Sequence, residues 1–194
     1  MKRNHESNND GNRINDEIAG YEQWLCQLRA EGWKAYFVTV MFNQLPGSMK
    51  TNKGIMACEI ERIYATLLPR VVHHPRSLSA EGKLPIWIAC PDFPVPKHKR
   101  QSLAKVTVNE GLHYHAIAVL PPTSRLTESL RRHFRNNAEL YRGHDRLVLR
   151  IKAKKIRRTP KRMVRYTLKA ILRHRATLDD LIVLPRAEEE FPVA

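Results

Sequence analysis

The stretch from Gly111 to Leu120, GLHYHAIAVL, constrains this chain more than any other. A glycine suited to ending a turn is followed by nine residues dominated by apolar types. In a β-strand successive side chains point to opposite faces, so His113 and His115 share a face about 7 Å apart along the backbone. Leu112, Tyr114, Ala116, Ala118 and Leu120 line the other face, an apolar stripe suited to packing under helices. Two imidazoles held side by side on a rigid strand are the start of a divalent-metal site.

The chain around this strand has 194 residues, 42% of them hydrophobic, enough for one sizeable core and one domain. Residues 1–13 are polar and Asn-rich and read as disordered, residues 14–175 as the domain, and residues 176–194 as a tail of unreadable role. No apolar run approaches the roughly 20 residues that cross a bilayer, and the N-terminus has no hydrophobic core of a signal peptide. Cys26, Cys58 and Cys90 stand far apart with no CxxC pair, which argues against a disulfide framework or thiolate zinc site and fits a reducing cytoplasm.

Charge narrows the partner. With 34 Lys+Arg against 19 Asp+Glu the formal charge is +15, a field that attracts polyanions, nucleic acid first among them. From Arg142 to Arg175 there are fourteen Lys or Arg and one acid, Asp145. These cations are not set against an exposed aromatic stripe, so a membrane surface is the poorer match.

Periodicity gives the order of elements. Ile14, Ile18, Tyr21, Trp24, Leu25 and Leu28 recur at helical spacing up to Gly32. Tyr36–Phe42 reads as a buried strand, Met56–Leu67 as a helix ended by Pro69, and Leu84–Cys90 as a second apolar strand. His73 and His74 fall in a polar loop and read as exposed. The Pro-rich basic segment 91–101 reads as a loop that can touch DNA, residues 106–108 lead into the histidine strand, and the Leu84–Cys90 and histidine strands are expected to form an antiparallel hairpin with a long connection. Pro121 and Pro122 end that strand. A helix capped by Thr123 or Ser124 follows, then a strand over Asp145–Lys152, then one helix opening at Thr159-Pro160 and running through KRMVRYTLKAILRH. This order predicts an α+β fold of ferredoxin-like kind, βαββαβα with an extra N-terminal helix. Its antiparallel sheet would carry helices mainly on one face.

The last helix places Arg162, Tyr166, Lys169 and Arg173 at i, i+4, i+7 and i+11, a tyrosine among three cations. Nearby cations favour the phenolate, and a divalent metal can polarise a phosphodiester. A metal-binding strand, a tyrosine amid cations and a DNA-attracting surface are the parts needed to attack a DNA phosphate.

Three stretches in this order resemble the HUH endonuclease superfamily, in its branch of plasmid and phage rolling-circle replication initiators with a single-tyrosine YxxK motif. YFVTVMF is similar to the first motif, GLHYHAIAVLP to the second and VRYTLKAIL to the third. The resemblance spans Tyr36 to Leu172. It implies that His113 and His115 hold Mg²⁺ or Mn²⁺, with Asp92 or Glu110 as candidates for a third ligand. It also implies that Tyr166 attacks the DNA and that Lys169 assists at the phosphate or orients the metal site. The expected product is a 5′-phosphotyrosyl intermediate with a free 3′ hydroxyl, from which rolling-circle replication starts. Arg158, Lys161, Arg162, Arg165 and Arg173 are the expected DNA contacts, on single-stranded or supercoiled DNA with an origin-like site. LPGSMKT lacks the second glycine of a phosphate-binding loop, so a host helicase and polymerase would supply unwinding and synthesis. Relaxases put their tyrosine before the histidines, and single-tyrosine transposases of the superfamily commonly pair it with glutamine. The alternatives are such a transposase, or a non-catalytic basic module that binds single-stranded DNA or RNA, including a decayed initiator bound to its origin.

Overall fold

The computed structural model describes residues 3–93, 108–143 and 145–186, with side chains from Gly11 onward. Five strands form one antiparallel sheet: β1 (Lys34–Phe42), β2 (Ile86–Asp92), β3 (His113–Leu120), β4 (Val148–Lys155) and β5 (Ile182–Leu184). Their spatial order is β4-β1-β3-β2-β5. The spatial order of the first four strands follows the ferredoxin-like pattern expected from the sequence. The helices are α1 (Arg3–Ala30), α2 (Met49–Val71), α3 (Leu130–Asn136), α4 (Ala138–Arg142), α5 (Pro160–Thr167) and α6 (Lys169–Leu172).

The histidine strand is the centre of the sheet, paired with β1 on one side and β2 on the other. Its even-numbered residues, Tyr114, Ala116, Ala118 and Leu120, enter a core with Val38, Val40 and Trp87 under α2, α3 and α4. Ile117 and Val119 enter a second core with Ile18, Leu25, Val164 and Ile171 under α1, α5 and α6. Helices therefore cover both faces, and the expectation of a mainly one-sided sheet is corrected. The reason lies in β2 and β3, which are apolar on both faces and would expose Ile88, Ile117 and Val119 if one face were bare.

Several boundaries differ from the sequence reading. Helix α1 begins at Arg3, ahead of Ile14, so the helix starts within the segment read as disordered. Pro69 lies inside α2, close enough to its end that the missing N–H costs one late hydrogen bond. Helix α3 is capped by the Ser129 hydroxyl, which accepts from Arg132 N, rather than by Thr123 or Ser124. The last helix is broken at Leu168, where ψ is 14°. Thr167 Oγ1 donates to the Met163 carbonyl at 2.9 Å, a side-chain bond of the kind that bends helices. Part of the expected tail joins the sheet, since Leu184, Val183 and Ile182 pair with Trp87, Ile88 and Ala89. His73 and His74 are exposed as expected. The basic Pro-rich loop from residue 94 onward and the lead-in at residues 106 and 107 lie outside the described residues. No described helix is long and apolar enough to cross a membrane.

Candidate metal centre

The turn before β3 sets the position of both histidines. Asn109 and Glu110 both have φ 53° and Gly111 has φ 81°, three left-handed residues in succession. Non-glycine residues hold such angles only where surrounding bonds determine them. Asn109 is buried and supplies those bonds. Its Oδ1 accepts from Leu45 N at 2.8 Å, its Nδ2 donates to the Asn43 carbonyl at 2.8 Å, and its backbone N–H donates to Gln44 Oε1 at 3.1 Å. The turn is thus tied to the end of β1, and β3 starts in a fixed register.

Register then brings in the third ligand. Asp92, the last residue of β2, stands opposite His113, and Cys90 stands opposite His115. One donor atom each from Asp92, His113 and His115 lies within 4.8 Å of the others. Asp92 Oδ2 is 3.3 Å from Nε2 of each histidine, and the two Nε2 atoms are 3.2 Å apart. Of the two acids considered as third ligand, Asp92 is in the cluster. Glu110 is exposed in the turn before the strand and outside the cluster.

The outer nitrogens of both rings are engaged. His113 Nδ1 lies 2.8 Å from the Gly111 carbonyl. His115 Nδ1 lies 3.2 Å from Thr39 Oγ1. Such partners orient ligating imidazoles. The set of two imidazole nitrogens and one carboxylate oxygen converges closely enough to hold a metal ion.

Burial sharpens the electrostatics. It opposes the charge on Asp92, but hydrogen bonds from His113, His115 and Lys169 outweigh it and hold the carboxyl well below the usual carboxylate range. Burial pushes the His115 pKa down, against the pull of Asp92, and so favours the neutral imidazole that a metal needs. Cys90, beside the cluster, is pushed up to about 12 by burial first and by Asp180 and Asp92 next. It stays a thiol at neutral pH, and it is not part of the donor group.

Tyr166 and Lys169 reach this cluster from the covering helices. The Tyr166 ring lies 5.4 Å from the His115 ring and 5.5 Å from Phe37, and it remains 46% exposed. Lys169 Nζ sits 4.2 Å from the Tyr166 ring centroid and 2.7 Å from Asp92 Oδ2. The break at Leu168 puts the two residues on successive helices, yet they still meet at one place. The single four-residue helix face read from the sequence is corrected to this kinked arrangement.

The expected DNA contacts divide. Arg158, Lys161, Arg162 and Arg173 are exposed. Arg165 is half exposed and forms an ion pair with Glu22 at 2.6 Å, bracing α5 against α1. The sequence reading missed Thr39 as a histidine partner and Asn109 as the anchor of the turn. A threonine in the first strand motif was visible, but its pairing with His115 needed the register. Comparison of the chain with known protein families, curated proteins and solved structures finds no match.

Proposed function

We propose that this protein is a metal-dependent DNA-nicking and strand-transfer enzyme of the HUH kind that starts rolling-circle replication, with Tyr166 as nucleophile. The observation that carries the reading is the meeting of Asp92, His113, His115, Lys169 and Tyr166 at one end of the sheet, drawn from three separate segments of chain.

The chemistry follows from what each side chain can do. Tyr166 Oη attacks the phosphorus of a DNA phosphodiester and the P–O3′ bond breaks. The phenolic proton passes to solvent, the 3′ oxygen takes up a proton, and the 5′ phosphate stays on the tyrosine. When bound, Mg²⁺ or Mn²⁺ would polarise the scissile phosphate and offset its developing charge. The Lys169 ammonium lies over the Tyr166 ring, where it can meet a phosphoryl oxygen. Attack of a 3′ hydroxyl on the phosphotyrosine reverses the step and joins strands, so the same residues serve nicking and transfer.

The test is covalent adduct formation. Full-length protein is mixed with a diverse pool of single-stranded oligonucleotides and Mn²⁺, then separated on a denaturing gel beside Tyr166→Phe. A shifted band that requires metal and is absent from the variant supports the reading. Salt-sensitive binding with no adduct across the pool favours a non-catalytic binding module.

A further inference from the structure

We infer that the exposed face of β4 is a track for single-stranded nucleic acid, with Arg150, Lys152 and Lys154 as its phosphate contacts. The inference rests on the nucleic-acid part of the proposed function and needs none of its chemistry.

The register carries the argument. Thr39 pairs with His115 on one side and with Lys152 on the other, so Lys152, Thr39 and His115 form one row across the sheet. Phe37 similarly stands between Ile117 and Lys154, and Met41 is opposite Arg150. Residues directly opposite one another share a face, so all three cations project from the face that carries the metal cluster. Strands lie about 4.8 Å apart, which puts the backbones of Lys152 and His115 about 10 Å apart.

Among the described residues that part of the face is open. Helices α1, α5 and α6 pack over β1, β2 and β3, whereas α3 and α4 pack against β4 through the opposite core, where Val148, Ile151 and Ala153 point. Arg150, Lys152 and Lys154 are exposed, and none pairs with a carboxylate among the described residues. Arg150 Nη2 touches Met41 Sδ at 3.0 Å, which leaves its other N–H groups for a phosphate.

Geometry favours a single strand over a duplex. Alternate residues on a strand are about 7 Å apart, the order of the step between phosphates in an extended single strand. A straight row one residue wide matches one backbone, and its middle member stands level with the metal cluster. A duplex would present two backbones to a stripe that contacts one.

The experiment uses full-length protein with EDTA present, a fluorescein-labelled single-stranded oligodeoxythymidylate and a range of NaCl concentrations. The variant carries Arg150→Gln, Lys152→Gln and Lys154→Gln. A control carries Arg131→Gln, Arg132→Gln and Arg135→Gln, which removes the same charge from α3 on the opposite face. Loss of three phosphate contacts lowers the slope of log K against log salt by about 2, at about 0.7 per contact. The track variant is expected to show that change and a loss of about tenfold or more in affinity, with the control close to wild type. An unchanged slope in the track variant, or an equal loss in the control, overturns the proposal. A larger loss for duplex than for single strand also overturns it. Because metal is absent and no cleavage is scored, failure of the nicking reaction and failure of the track are separately visible.

Discussion

Lys169 Nζ lies 2.7 Å from Asp92 Oδ2, the same oxygen that both histidine Nε2 atoms approach at 3.3 Å. Without a metal ion, the lysine ammonium is the cation that answers the buried carboxylate. A divalent ion held by the same three residues meets that ammonium as a like charge close by, and its entry favours a Lys169 turned toward a bound phosphate. Lys169→Met is therefore expected to bind Mn²⁺ about tenfold more tightly, which is about 1.4 kcal/mol, as read by calorimetry without DNA. The same change is expected to slow adduct formation by about 10²-fold, the scale for removing one group that stabilises developing charge. Equal or weaker Mn²⁺ binding would show that the lysine does not compete for the carboxylate.

Removing the carboxylate has the opposite sign. Asp92→Asn leaves the Lys169 ammonium without its counter-charge in a site where Asp92 is 2% exposed. Breaking such a buried arrangement costs about 3 kcal/mol or more, to be read from urea unfolding, with Mn²⁺ binding lost. Asp92→Asn with wild-type Mn²⁺ affinity would remove the residue from the ligand set. Glu110→Gln is the companion variant and is expected to leave both properties unchanged, since that side chain is exposed outside the cluster.

Acidification should destabilise the metal-free protein in two windows. Burial lowers the pKa of His115 and, in the same sense, of His133, whose partners are Tyr141 and Glu128. Below about pH 6.5 the unfolded chain takes up protons that these folded histidines refuse, so stability falls as pH drops, by at most about 1.4 kcal/mol per pH unit for each group. Asp92 acts lower. Its contribution is complete above the ordinary carboxylate range and is lost as pH falls below about 4. Urea midpoints at pH 7.5 and 5.5 check the first window, and His133→Gln is expected to flatten it. Equal midpoints in the wild type would refute the histidine account.

Helix α1 is held by its apolar row. Leu25 is fully buried in the core shared with Val164 and Ile171 of the two helices that carry Tyr166 and Lys169. Leu25→Ala is expected to destabilise the fold by about 2–5 kcal/mol, measured by denaturant unfolding. A cost below about 1 kcal/mol would mean that α1 is not packed as described.

Local pattern determined a large part of this protein by itself. Alternation in GLHYHAIAVL put His113 and His115 on one face, and apolar runs gave β1 and β2, because these signals depend only on neighbours along the chain. The ferredoxin-like order followed from the sequence of elements. Three matters required the tertiary structure. Asp92 was one of two acids equally open on spacing, and only the pairing of β2 with β3, which sets it opposite His113, chose between it and Glu110. The two-sided covering of the sheet depended on where α1 and the last helices dock, which an amphipathic row does not specify. The break at Leu168 is accompanied by a Thr167 hydroxyl bonding back to Met163, and Arg165 is paired with Glu22, far away along the chain. Periodicity reports which way a side chain faces within its own element. What it faces is decided by register and docking, which join residues remote in sequence.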